Sequence, residues 1–202
     1  GKRTQGMNEQ QCSRLLAWTG RGTPEQRRQQ QVLTTIMIRT GMRLGEVLNL
    51  RREDVQLTSR EYHGVTCPAV RVEYEVLKQE SPWRAVTWVP LFATSLPVWQ
   101  AFFAERTDAE AYLFQSNNGR RLGPRTVQRW FEHLRAEGEG GFHPHAVRHL
   151  VANRVQRQYD RLTVKLVLAH NIGDPASEYA DRPDLWPILA SLTYRGSRGK
   201  EQ

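Results

Sequence analysis

The chain has 202 residues, enough for one domain with a hydrophobic core of its own. Its two cysteines, Cys12 and Cys67, form no CxxC pair, and no apolar run approaches the ~20 residues of a membrane span. A disulfide scaffold and a membrane-embedded protein are therefore excluded. The formal net charge of +8 and a pI near 10.0 favour a polyanionic partner. The first residues lack the apolar stretch of a secretory signal, so we expect a soluble, intracellular protein.

The first 50 residues have the pattern of three helices. We expect one helix from near Asn8 through Gly20, with an apolar side formed by leucines and a tryptophan. Residues 23–26 (TPEQ) predict the start of a second helix, with threonine as the cap, proline in the first turn and glutamine at the capping-box position. This second helix is apolar enough to be buried and should end at Gly41, and a short third helix should follow it.

The middle of the chain changes to the alternating pattern of strands. Residues 70–76 alternate between apolar and polar types, and residues 85–89 predict a second strand that closes at Pro90. Residues 78–83 lie between these two strands and are interpreted as the tip of a hairpin. Residues 54–60 predict a third strand of the same sheet.

Helical periodicity returns after the sheet and continues to the end of the chain. We expect a short helix from Asp174 onward and a final helix over residues 184–192. The fold class is therefore α+β, mostly α-helical with a small three-stranded antiparallel sheet. We expect residues 1–7 and 195–202 to be flexible ends, and the polar, glycine-rich tail after Thr193, which begins with Tyr194, to fray. The segments expected to form the longer helices are 95–106, 123–136, 145–158 and 162–170.

Two stretches of the chain place charged or imidazole side chains on one helical face. Arg43 and Glu46 lie three residues apart after a glycine, a spacing that is also common in ordinary ion pairs on helices. His145 and Arg148 lie one turn apart at the start of a helix, where the helix dipole favours an anion such as phosphate. His149 lies on the same face, and we interpret it as a packed core histidine.

Single residues further along the chain are less specific when taken alone. Lys78 at the hairpin tip has the pattern of a solvated lysine, and His170 after an apolar stretch has that of a helix-capping residue. Tyr179, nine residues after His170, would be an ordinary amphipathic tyrosine.

Arginine dominates the basic residues, and its planar guanidinium group is well suited to binding phosphate. The lysines number four among 29 cationic residues, namely Lys2, Lys78, Lys165 and Lys200. Four arginines flank the start of the helix predicted over residues 123–136 and are candidates for contact with a nucleic-acid backbone, although a solvated basic face has the same pattern. They are Arg120, Arg121, Arg125 and Arg129.

These segments, in this order, resemble the signature of the tyrosine recombinase family, which includes phage integrases. Residues 40–50 (TGMRLGEVLNL) resemble its first arginine box, and residues 76–91 (VLKQESPWRAVTWVPL) its β-hairpin lysine segment. Residues 143–149 (HPHAVRH) resemble its HxxR box, and residues 168–170 (LAH) with Tyr179 resemble its final box. The resemblance extends from the first predicted helix to the last.

The resemblance implies a role for each matching residue in breaking a DNA phosphodiester. Tyr179 would be the nucleophile, and Lys78 would protonate the leaving 5′-oxygen. Glu46 would support the first arginine, and Ala169 stands where the family usually has glycine. The residues implied to hold the phosphate are Arg43, His145, Arg148 and His170.

The resemblance also implies what the reaction needs and where it occurs. It implies a 3′-phosphotyrosyl intermediate with no metal, no organic cofactor and no ATP, in the cytoplasm of a prokaryote or a phage-infected cell, in association with the nucleoid. Double-stranded DNA would be the substrate. The protein would act as a homo-oligomer, a dimer to a tetramer, through a helix at residues 184–194 unless this helix folds back on its own core. We expect residues 1–202 to form a single catalytic domain, without the N-terminal DNA-binding domain usual in the family.

Three alternatives remain open from the sequence. Enzymes with the same chemistry include type IB topoisomerases and telomere resolvases. A DNA-binding protein on the same scaffold would lack catalysis, although every implied reacting position is occupied here. A zinc-binding domain built on residues 143–149 is the most distant alternative, because its histidines lack cysteine or acidic companions.

Overall fold

The computed structural model of the chain describes residues 6–77, 83–136, 143–170 and 182–194. Within these ranges the order of elements is three helices, three strands and five further helices. The helices are α1 (Glu9–Ala17), α2 (Pro24–Thr40), α3 (Leu44–Leu48), α4 (Leu96–Ala104), α5 (Pro124–Ala136), α6 (Pro144–Gln158), α7 (Arg161–Val167) and α8 (Trp186–Tyr194). The strands are β1 (Val55–Tyr62), β2 (Val65–Glu75) and β3 (Arg84–Pro90). The predicted fold class is confirmed. The short helix predicted from Asp174 lies outside the described residues.

Side-chain caps explain why the helices begin where they do. Asn8 and Thr23 each accept a hydrogen bond from the backbone of the third helical residue, and the glutamine at that position returns one to the cap. Thr23 therefore starts α2 as predicted. Helix α1 ends at Ala17, earlier than the predicted Gly20, because Trp18 has an extended backbone conformation.

The sheet is antiparallel, in the order β1-β2-β3. Val70 pairs with Leu57 of β1 and Val89 of β3, and the buried residues of β2 on this face pack into the main helical core. Because side chains alternate along a strand, Cys67 and Ala69 point to the other face. The sheet therefore has apolar contacts on both faces.

Helix α8 covers the second face of the sheet. Trp186 packs against Cys67 and Ala69, and its indole N–H donates to the carbonyl of Glu61 at 2.8 Å. Tyr194, which the sequence predicts to lie in a fraying tail, ends the helix and donates its hydroxyl to the carbonyl of Leu91 at 2.8 Å. That prediction was wrong because this hydrogen bond and aromatic contacts hold the residue. The helix thus folds back on its own chain.

The predicted flexible ends lie only partly within the described residues. Met7, placed by the sequence in a flexible end, is buried in the main core, whereas residues 1–5 and 195–202 lie outside the description. Both cysteines are free and buried. Among the helices described here, none combines the length and apolar character that a bilayer span requires.

Candidate active site

A cleft of about 580 Å³ is lined by distant segments of the chain. The loop between α2 and α3 forms one wall, and the start of α6 and one side of α5 form the others. Among the residues of the predicted site, Arg43, His145 and Arg148 line this cleft. His170 lies close enough for Arg43 and Arg148 to act on its titration.

Arg148 is the most firmly held side chain in the cleft, with 8% of its surface exposed. Its Nη1 donates to the carbonyl of Gly41 at 2.7 Å, and its Nη2 donates to the carbonyl of Leu168 at 3.0 Å. Burial and the neighbouring Arg43 lower the pKa of Arg148 to about 10, so the guanidinium remains charged at neutral pH. Two backbone carbonyls therefore fix the orientation of a buried cation.

Gly41 is required at this point by its conformation and its neighbours. Its φ is +70°, in the left-handed region that ends α2, and an added Cβ would lie 2.8 Å from a methyl group of Leu168 and 3.0 Å from one of Val151. The same residue supplies the carbonyl that holds Arg148. Gly41 therefore both ends α2 and holds the side chain of Arg148 in place.

Arg43 and Glu46 form the ion pair that their spacing predicts. Arg43 occupies the N-cap position of α3 without a capping bond from its side chain, and its Nη1 donates to Oε1 of Glu46 at 3.0 Å. The glutamate side chain is 0% exposed and the arginine side chain 21%. Burial raises the pKa of Glu46, and the hydrogen bond from Arg43 opposes this effect. Its other oxygen, Oε2, is buried without a hydrogen-bond partner among the described residues.

Glu46→Gln is expected to separate stability from activity. A carboxyl group with a raised pKa favours the folded state most at low pH and loses that contribution as the pH rises through its folded value. At neutral pH the free energy of unfolding of the variant should therefore equal that of wild type or exceed it by up to about 1 kcal/mol. The reason is that the buried carboxylate is gone while the partly exposed Arg43 remains hydrated. The proposed DNA cleavage should fall about tenfold, because Arg43 loses its anionic partner. Urea denaturation at several pH values and a single-turnover assay measure the two effects. A variant that is both less stable and fully active would contradict this prediction.

His170 follows a residue with an unusual backbone. Ala169 has a φ of +53°, which costs a non-glycine residue about 1–2 kcal/mol, so glycine is the better fit at this position. The turn lets the backbone N–H of His170 donate to the carbonyl of Lys165 at 2.8 Å. Burial, followed by the charges of Arg148 and Arg43, lowers the pKa of His170. Its imidazole is therefore neutral at physiological pH and able to accept a proton.

His145 and His149 contact each other at the mouth of the cleft. Both are exposed, and their Nε2 atoms lie 3.0 Å apart. The prediction that His149 is a packed core residue was wrong, because the side of α6 that carries it faces solvent rather than the core.

His143 has a function that its sequence context did not reveal. It is the N-cap of α6, and its Nδ1 accepts the backbone N–H of Ala146 at 3.2 Å. This role requires a neutral imidazole with its proton on Nε2. Burial lowers the pKa of His143, and the charges of Arg135 and His149 lower it further. An uncommon capping residue thus orients the helix that carries His145 and Arg148.

His143→Ala is expected to destabilise the fold by about 1 kcal/mol near pH 7.5, and His143→Asn by much less, because asparagine also caps a helix. A histidine with a lowered folded pKa stabilises the fold above its unfolded pKa and loses this contribution as the pH falls. The difference between wild type and His143→Ala should therefore shrink near pH 5.5. Urea denaturation at both pH values checks the prediction. A difference that does not depend on pH would contradict it.

Two predicted site residues, Lys78 and Tyr179, lie outside the described residues. Leu77, which directly precedes Lys78 in the sequence, lines the cleft. The described chain ends at His170 before Tyr179 and resumes at Arg182 after it.

The predicted DNA-contact arginines are all at least partly accessible. Arg120, Arg125 and Arg129 are exposed, and Arg121 is half-buried with its Nε donating to Oδ1 of Asn49 at 2.9 Å. Sequence reasoning missed one further member, as Arg135 lines the cleft itself. Arg135 lies seven residues after Gln128 and four after Phe131, which line the same cleft, and this helical spacing was the available signal.

The comparisons with known proteins fit this arrangement. The family model described as "Phage integrase family" matches residues 5–184. The chain belongs to the phage integrase family. The resemblance found in the sequence is thereby confirmed.

Two bacterial relatives carry the name tyrosine recombinase XerC. The chain is 30% identical to that of Pseudomonas fluorescens over 156 residues, which cover 71% of this chain and 45% of the relative. It is 27% identical to that of Pseudomonas savastanoi pv. phaseolicola over 145 residues, which cover 69% of this chain and 44% of the relative. The chain thus spans less than half the length of these curated relatives.

Solved structures of similar proteins agree on the fold. The XerH site-specific recombinase, in a pre-cleavage complex with its difH substrate, aligns with a TM-score of 0.61 and 16% identity over 97% of this chain and 52% of that one. The XerA recombinase aligns with a TM-score of 0.59 and 18% identity over 98% of this chain and 65% of that one. At these identities the comparison establishes the shared fold.

Proposed function

We propose that the chain is the catalytic domain of a site-specific DNA recombinase that cuts and rejoins double-stranded DNA through a phosphotyrosyl intermediate on Tyr179. The observation that carries the proposal is the convergence of Arg43, His145 and Arg148 on one cleft, with His170 close by. Membership of the phage integrase family supports the same reaction.

The cleft suits a phosphate that gains negative charge during the reaction. Arg148 is fixed by two carbonyls and Arg43 by Glu46, so both cations are oriented before the substrate binds. Preorganised donors of this kind stabilise a charged transition state more than they stabilise the ground state. His145, at the cleft mouth, adds a further donor within the same space.

The proposed reaction transfers two protons, and a residue of the chain is assigned to each transfer. The neutral imidazole of His170 would accept the proton of the Tyr179 hydroxyl as that oxygen attacks phosphorus. The bond to the 5′-oxygen breaks, and Lys78 would protonate this leaving group. The phosphotyrosyl bond keeps the energy of the broken phosphodiester, so a 5′-hydroxyl of another strand can reverse the step without ATP and without a metal.

Nicked suicide duplexes test the proposal even though the target sequence is unknown. A pool with randomised arms is incubated with the full chain, and adducts that survive denaturation are isolated. We expect a covalent protein–DNA product whose peptide map places the DNA on Tyr179 and whose DNA ends share a sequence. A chain that binds the pool but forms no adduct overturns the enzymatic proposal in favour of a DNA-binding protein. Adducts without any shared sequence favour a topoisomerase-like relaxing enzyme.

DNA affinity is proposed to depend on the exposed arginines at the start of α5. Replacing Arg125 and Arg129 together by alanine should weaken DNA binding and lower the slope of log K against log salt by about 2, since each phosphate contact contributes about 0.9. Fluorescence anisotropy over a salt series measures this slope.

The matched control removes the same charge elsewhere. Arg157 near the end of α6 and Arg161 at the start of α7 are exposed, and Arg157 lies about 18 Å from His145 by the helical rise. Their double alanine variant should keep the wild-type slope. Equal slopes for both double variants would show that α5 is not the contact surface.

The proposal includes assembly on DNA and a location. We propose a homo-oligomer of two to four protomers on the DNA. Because Trp186 and Tyr194 anchor α8 to its own sheet, docking of this helix on a neighbour requires its release first. We also propose a nucleoid-associated, cytoplasmic location in a prokaryote, as expected for an enzyme that acts on chromosomal or phage DNA.

A further inference from the structure

His145, a proposed catalytic histidine, is in direct contact with a second histidine, His149. The two residues lie four apart on α6, so their side chains share one face of the helix. Their ring centroids are 4.4 Å apart with an interplanar angle of 83°, and the Nε2 atoms are 3.0 Å apart. Both side chains are exposed to solvent. Two exposed imidazole nitrogens therefore approach the same point in space.

We propose that His145 and His149 form a two-ligand site for a divalent transition-metal ion of the Ni²⁺ or Cu²⁺ type, and that occupation of this site inhibits DNA cleavage. Two histidines four residues apart on a helix are a known arrangement for binding one metal ion. Imidazole is also a preferred ligand of these ions. The metal-binding part stands on the geometry alone, whereas the inhibition rests on the proposed function.

The separation of the nitrogens favours a particular coordination geometry. With metal–nitrogen bonds of about 2.05 Å, ligands at 90° are about 2.9 Å apart and ligands at the tetrahedral angle about 3.3 Å apart. The observed 3.0 Å is closer to the first value. Adjacent positions of a square-planar or octahedral ion are therefore favoured over the tetrahedral sites of structural zinc.

Binding requires a change of tautomer but no net loss of a proton. In the hydrogen bond, one Nε2 carries the proton and the other accepts it. A metal ion needs the lone pair on both atoms. The donating ring therefore moves its proton from Nε2 to Nδ1 through water, and both imidazoles stay neutral.

The surroundings make this a weak, reversible site. Within the described ranges, no group of three or more histidine, cysteine or acidic side chains is arranged to hold a metal ion, so the described residues offer two protein ligands. Arg43 and Arg148 line the same cleft as His145 and repel a dication. These features are unsuitable for a permanent structural metal and suitable for an ion that exchanges with the cell's pool.

Inhibition follows from the position of His145. Its Nε2 cannot bind a metal and donate a hydrogen bond to a scissile phosphate at the same time. A bound dication with its water molecules also occupies space at the mouth of the cleft. The metal-bound chain should therefore bind DNA but cut it slowly.

Calorimetric titration of the full, untagged chain with NiCl₂ tests the binding. Wild type should show one saturable site, and His149→Ala should bind Ni²⁺ at least about tenfold more weakly because one of the two ligands is gone. His133→Ala removes an exposed histidine from α5 and should match wild type. MgCl₂, a cation that prefers oxygen ligands, should give no saturable site. Absence of a saturable Ni²⁺ site, or equal affinity in His149→Ala, overturns the proposal.

The second measurement concerns inhibition and uses the suicide duplexes. Ni²⁺ should slow adduct formation by wild type at least about tenfold, EDTA should restore the rate, and His149→Ala should keep most of its own metal-free rate. Equal inhibition of both chains overturns the inhibitory role. If Ni²⁺ binds through His149 but wild type forms no adduct even with EDTA, the metal site stands and the proposed function fails.

Discussion

Arg148→Lys is expected to form the DNA adduct at least about 100-fold more slowly than wild type. The guanidinium donates from Nη1 to the carbonyl of Gly41 and from Nη2 to that of Leu168, and these two hydrogen bonds hold the charge in place. A lysine has a single nitrogen and cannot bridge both carbonyls while also presenting a donor to the phosphate. Single-turnover cleavage of the suicide duplexes measures the loss.

The effect on stability can be separated from the effect on chemistry. Arg148→Ala leaves both carbonyls without a donor and should cost about 2–3 kcal/mol of the free energy of unfolding. Arg106 offers a matched control, since it is half-buried and donates to the carbonyl of Leu113 and to Oε1 of Gln29, both at 2.9 Å. Arg106 does not line the cleft, so Arg106→Lys should lower stability but leave the cleavage rate of the folded fraction unchanged. Equal losses of cleavage in the two lysine variants would mean that Arg148 is structural only.

The local features of the fold were predictable because they depend on neighbours in the sequence. The capping box at Thr23, the helix stop at Gly41 and the pair Arg43–Glu46 each involve residues within a few positions of one another. The order of helices and strands follows from periodicity, which is likewise local. Within the described residues these predictions are confirmed, with shifts of a few residues at element ends, whereas the helix from Asp174 stays a prediction.

The contacts that assemble the cleft were not predictable, because they join distant segments. Arg148 is held by a carbonyl 107 positions earlier and another 20 positions later, and a backbone carbonyl leaves no mark in a sequence. His143 as a helix cap was missed because histidine is uncommon in this role. Tyr74 was also missed: it is 3% exposed and near enough to Glu46 and Arg148 for their charges to affect it.

The structure shows what it means that Ala169 stands where the family usually has glycine. The left-handed backbone at this position suits glycine, so the chain carries a small strain directly before His170. The turn also orients the carbonyl of Leu168 toward Arg148. One strained turn thus positions the proposed proton acceptor and anchors the proposed phosphate ligand.

Tyr179→Phe is expected to abolish the covalent adduct, with a loss of about 10⁴-fold or more, and to leave DNA affinity unchanged. Tyr159, Tyr194 and Tyr74 are poorly placed to act as the nucleophile, which supports Tyr179 in that role. The hydroxyl of Tyr159 is hydrogen-bonded to Ser191 at 2.7 Å, and that of Tyr194 to a backbone carbonyl. Burial raises the pKa of Tyr194 above its ordinary value, and burial does the same to Tyr74.

The corresponding variants of these other tyrosines are the controls. Tyr159→Phe and Tyr194→Phe should still form the adduct, with some loss of stability, because the Tyr159 hydroxyl joins the end of α6 to α8 and the Tyr194 hydroxyl joins α8 to the residue after β3. Tyr74→Phe is the most demanding control, since Tyr74 is the described tyrosine whose titration responds to both Arg43 and Arg148. An adduct that forms in Tyr179→Phe but not in Tyr74→Phe would show that the nucleophile is Tyr74, on strand β2, rather than Tyr179. The burial of Tyr74 argues against this, because its phenolate would have to form without water.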